Sequence, residues 1–114
     1  MSPDPMDSTK LDGVVKGADL VAFQPGAVVS RTLVKKPTGT VTAFAFDAGE
    51  GLSEHTTPFD ALVMGLQGEG DITIAGEPHR LAAGDLLRLP AGRPHAVKAV
   101  TPFKMLLIMI RAQA

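Results

Sequence analysis

Apolar and polar residues alternate in short runs along most of this chain, and glycine or proline ends each run before a helix of ordinary length fits. The clearest run is Thr40-Val41-Thr42-Ala43-Phe44-Ala45-Phe46, with Thr and Phe on one face and Val and Ala on the other. A period of two predicts a strand, one face toward a cavity and the other against a second sheet. Comparable runs predict strands over Val28–Val34, Thr40–Asp47, Asp60–Leu66, Asp71–Ala75, Asp85–Leu89, His95–Val100 and Phe103–Ile110. Short strands at regular spacing predict an all-β sandwich or barrel. The last run, FKMLLIMI, is apolar on both faces except at Lys104, so both sides are expected to be buried. A partner subunit or the same chain would supply the second cover.

Composition narrows the chemistry. The chain has 114 residues, a length that suits one domain able to bury a single core. Residues 1–12, rich in Pro, Asp and Ser, are expected to be a disordered tail, and residues 13–114 the domain. There is no Cys, Trp or Tyr, so the core must be aliphatic with five Phe, and thiolate and phenol chemistry are excluded. Eleven Lys and Arg are scattered against twelve Asp and Glu, which argues against a nucleic-acid partner. No apolar run approaches the ~20 residues of a membrane helix, and the N-terminus has no signal-peptide pattern, so a soluble cytoplasmic protein is expected.

Two glycine-framed segments carry the candidate chemistry: GEGLSEHTTPFDALVMGLQG, centred on His55, and GDLLRLPAGRPHAVKA, centred on His95. In the second, Gly84-Asp85 and Pro90-Ala91-Gly92 turn the chain at either end of a short strand and place His95 at the start of the next. Asp85 is expected to serve its turn, Arg88 and Lys98 to face solvent, and His79, in Glu77-Pro78-His79-Arg80, to be exposed or at a rim.

These spacings resemble the cupin superfamily from about Val28 onward. Gly49, His55 and Gly68 stand at positions of its first motif, and Gly84, Pro90, Gly92 and His95 at those of its second, with Ala99 in place of the family's Asn. The resemblance implies a single β-barrel of the jelly-roll type. It also implies that the family's four metal ligands fall on His55, Thr57, Ala61 or Leu62, and His95. Two of the four are lost, because a Thr hydroxyl is a poor donor and Ala or Leu is none. No tightly bound cofactor is therefore expected, only a weak divalent transition metal. Asp60 is the candidate third ligand; its alternative is a turn residue satisfying local backbone donors.

The phrase EHTTPFDA followed by PAGRPHAVKA is similar to short single-domain bacterial cupins in which Thr replaces the second histidine. The first functional expectation is a binding module whose pocket, with His55, Thr57, Asp60 and His95 as polar anchors in an aliphatic chamber, holds a small organic molecule. The alternatives are a metal-free enzyme using the histidines as general acid and base, and a metal-dependent dioxygenase or isomerase built on His55, His95 and Asp60. A homodimer is expected through Val28–Val34 and the C-terminal strand.

Overall fold

Each alternating run becomes a strand in the computed structural model, which describes residues 13–111, and two further strands lie where the punctuation is densest. In chain order the described residues form β1 (Val28–Lys36), β2 (Gly39–Phe46), β3 (Gly51–His55), β4 (Phe59–Gln67), β5 (Glu69–Ile74), β6 (Glu77–Ala82), β7 (Leu86–Leu89), β8 (His95–Ala99) and β9 (Phe103–Arg111). The sequence pattern misses β3 and β6. Glycines frame β3, and Pro78 interrupts β6, which among the described residues pairs only with β5 and so tolerates a residue without a backbone donor. The expected tail, residues 1–12, lies outside the described residues.

The strands make two antiparallel sheets, one in the order β1-β2-β9-β4-β7 and the other β3-β8-β5-β6. Their facing sides close on one core. Phe46, Ala61, Val63, Leu89, Phe103 and Met105 of the first sheet meet Ile72, Ile74, Leu81, Val97 and Ala99 of the second. The fold is thus an all-β jelly-roll barrel. Phe46 and Phe103 are cross-strand partners, and their rings stack with centroids 6.1 Å apart. Both are fully buried, and each contributes on the order of 1.5–3 kcal/mol by leaving water.

The outer face of the five-stranded sheet corrects one expectation. The Val/Ala face of β2 packs against no second sheet. Instead Leu20, Val21 and Phe23 of the preceding segment lie over Ala43, Ala45 and Leu106. Lys104, the charged residue of the last strand, fastens this cover: its Nζ donates to the Ala18 carbonyl at 2.6 Å and sits 4.7 Å from the centre of the Phe23 ring. The strand is therefore covered on both sides over its first half by its own chain. Over the second half Ile110 is exposed, as are Leu62 and Val34 in the neighbouring strands.

Candidate functional site

A bulge makes the histidine pair. On β8, Val97 and His95 are two residues apart and share the inward face. Their partners on β3 are Leu52 and His55, three residues apart, so one extra residue is accommodated between them. A bulge of this kind re-aims the strand, and here it brings His55 round to oppose His95. The imidazole centroids are 4.4 Å apart with an interplanar angle of 66°. His95 is buried and His55 exposed, so the pair forms the wall of an open mouth rather than the lining of a closed chamber.

Both rings are oriented in the same way. Nδ1 of His55 lies 2.8 Å from the Ser53 carbonyl, and Nδ1 of His95 lies 3.3 Å from the Arg93 carbonyl. A carbonyl oxygen only accepts, so Nδ1 carries a proton in each ring, and in the neutral form Nε2 carries the lone pair. Each imidazole thereby presents an acceptor away from its own strand. Burial pushes the pKa of His95 below the ordinary histidine value, and the neighbouring His55 pushes it further the same way. His95 is thus a neutral acceptor at pH 7.

The other two candidates serve the loops that carry the histidines. The Thr57 hydroxyl accepts from the Phe59 N–H at 3.2 Å, and its carbonyl accepts from the Gly92 N–H at 2.9 Å. Asp60 Oδ1 accepts from the Ala91 N–H at 3.0 Å and lies 3.9 Å from Arg88 Nη2. Together Thr57 and Asp60 tie the β3–β4 connection to the Pro90-Ala91-Gly92 turn, which enters β8. Gly92 sits at φ +79°, a conformation that disfavours any side chain at the centre of this turn. Gly51 is required for another reason: a Cβ there would run into the Val97 carbonyl oxygen and push β3 off β8.

Among the described residues, no three His, Asp or Glu side chains are grouped to hold a metal ion. Thr57 and Asp60 point their oxygens at backbone donors, and Ala61 and Leu62 offer none. This donor set does not fit the four-ligand centre that the motif spacing implies.

The sequence overlooks the surroundings of the mouth. A cavity of about 300 Å³ opens beside it, lined by Ile74, Glu77, His79, Leu87, Arg88, Pro90 and Arg93. His79 is half-buried, two residues before the buried Leu81 on β6, so it is a rim residue of this cavity. This is the exposed or rim place expected for it from the sequence. Arg93 gave no signal beyond standing two residues before His95.

The family model described as Cupin domain matches residues 43–110. The chain is 37% identical to a conserved Streptococcus pyogenes protein of unknown function, with a TM-score of 0.85 and 90% of each chain covered. It is 31% identical to a cupin superfamily protein of Desulfitobacterium hafniense, with a TM-score of 0.83, covering 88% of this chain and 92% of that one. A cupin 2 conserved barrel domain protein of Leptotrichia buccalis is 45% identical with a TM-score of 0.80, over 82% of this chain and 46% of that chain. No curated protein matches.

Proposed function

The chain belongs to the cupin family, and from that premise we propose that it is a small-molecule-binding barrel whose working groups are the acceptor nitrogens of His55 and His95. The observation that carries this reading is the shared ring orientation: two neighbouring imidazoles, each with Nδ1 tied to its own strand, leave two Nε2 acceptors at one mouth. A ligand offering a hydroxyl, an enol or a protonated amine would meet both. The aliphatic walls behind them, Ile74 and Val97, exclude water from the ligand's apolar part.

Acid–base catalysis on an enolisable substrate is the second reading, favoured by the lowered proton affinity of buried His95 beside an exposed partner. The test combines metal analysis and native mass spectrometry of protein purified without a polyhistidine tag. A co-purifying organic mass that disappears in His95→Ala supports binding. Stoichiometric Fe, Mn, Ni, Cu or Zn lost in both His55→Ala and His95→Ala overturns it.

A second copy of the chain is the proposed partner for the uncovered half of the outer face. One row across the sheet runs Val34, Val41, Ile108 and Leu62, with Ile110 beside it, and it ends at β1, which among the described residues pairs only with β2. An apolar row bordered by a bare strand edge is complementary to its own copy. Light scattering should find a dimer that Ile110→Lys converts to a monomer; a wild-type monomer would reject it. Among the described residues no helix is long and apolar enough to cross a membrane.

A further inference from the structure

The cavity beside the histidine mouth lies where the two sheets fail to join. Among the described residues β7 pairs only with β4 and β6 only with β5, so the edges of the two sheets face each other across an open slot. Glu77 and His79 of β6 line one side, and Leu87, Arg88 and Pro90, on or just beyond β7, line the other. Its floor is Ile74, which is also the cross-strand partner of His95. Directly opposed residues share a face, so the slot and the histidine mouth are separated by a single side chain.

The charged groups of the slot are unequally engaged. Two guanidiniums, Arg88 and Arg93, stand against one carboxylate, Glu77. Arg88 lies 3.9 Å from Asp60, whereas among the described residues no hydrogen bond or ion pair holds the guanidinium of Arg93. The Arg93 backbone is fixed, since its carbonyl orients His95 and its N–H bonds to Pro90. An anchored backbone carrying an uncommitted planar donor suits bidentate capture of a carboxylate. Ile74, Leu87 and Pro90 offer an apolar surface to the rest of the molecule, and a volume of about 300 Å³ limits its size to a small organic acid.

We infer that the slot between β6 and β7 binds the carboxylate of a small organic monoanion on Arg93, with His79 alongside, and lays its apolar part on Ile74 toward His95. With Arg88 facing Asp60, Arg93 is the guanidinium left to meet one negative charge, and Glu77 disfavours a dianion. The inference deepens the binding reading above and rests on it, because it names the ligand class that would reach the two Nε2 acceptors.

The test uses benzoate, with benzamide as its neutral counterpart, titrated into the full chain at pH 7 and followed by NMR of the backbone amides, the arginine Nε–H groups and the histidine rings. Expected are benzoate shifts at Arg93, His79, Ile74, Leu87 and His95, at least tenfold weaker binding in Arg93→Gln, and unchanged binding in Lys98→Gln, which removes the same charge elsewhere. Benzamide should leave these signals in place. Equal binding of the two probes, or equal losses in Arg93→Gln and Lys98→Gln, would overturn the slot. Shifts confined to His55 and His95 and unaltered in Arg93→Gln would overturn the slot and leave the histidine pocket standing. No shifts at either place would count against both.

Discussion

The aromatic end of the barrel and its histidine end are held together by different forces. Phe46 and Phe103 are fully buried and stack on one another, within one core cluster with the equally buried Ile72, Val63 and Met105. Around His55 and His95 the order comes from hydrogen bonds to backbone groups: Ser53 and Arg93 fix the rings, and Thr57 and Asp60 fix the turn. One end supplies free energy by removing apolar surface from water. The other positions polar groups at modest cost and leaves their Nε2 atoms uncommitted. The contrast teaches that the stability and the chemistry of this barrel should be separable by mutation.

The widest separation is expected from Phe103→Ala, which empties the aromatic end and should cost about 3–5 kcal/mol in urea unfolding. The ring signals of His55 and His95 should be unchanged in whatever fraction remains folded. Movement of those signals would mean the two ends are coupled.

Gly51→Ala attacks the histidine end through its backbone. The added Cβ meets the Val97 carbonyl, and the expected loss is on the order of 1–3 kcal/mol. Hydrogen exchange should quicken in β3 and β8 while the amides of β2 and β9 stay protected. Uniform loss of protection would show one cooperative unit.

Asp60→Ala removes the acceptor for the Ala91 N–H and should cost about 0.5–1.5 kcal/mol, less if water takes its place. A carboxylate that belonged to a metal centre would behave differently: its removal would change metal content and leave the turn intact.

The smallest effect is the pH dependence of His95. Its folded pKa lies below the ordinary histidine value because of burial and then His55. Between the two values the unfolded chain holds a proton that the folded chain refuses, so stability falls as pH drops across that window and levels off below the folded value. His95→Gln should flatten this part of the profile relative to wild type, as read from urea midpoints. A profile unchanged by the substitution would remove His95 as its source.

Seven of the nine strands were legible because alternation and Gly/Pro punctuation are local properties of the chain. β3 was not, since a bulged strand breaks the period of two that reveals it, and the same bulge is what turns His55 toward His95. The motif frame found both histidines, and a turn role was legible as the alternative for Asp60, while Thr57 was read only as a pocket group. The tie from Asp60 to Ala91 spans 31 positions in sequence, which no pattern encodes. The rim place of His79 was legible, but Arg93 and the slot were not, because the opening between β6 and β7 is a product of sheet order rather than of any segment. The cover over Ala43 and Ala45 was unread for a similar reason, since Leu20 and Val21 show no strand period.

The central claim is that both imidazoles carry their proton on Nδ1 and offer Nε2 at the mouth. Long-range 15N–1H NMR of the histidine side chains at pH 7 tests it most directly. In the neutral form of both His55 and His95 a protonated Nδ1 and an unprotonated Nε2 are expected. A neutral ring with its proton on Nε2 would contradict this.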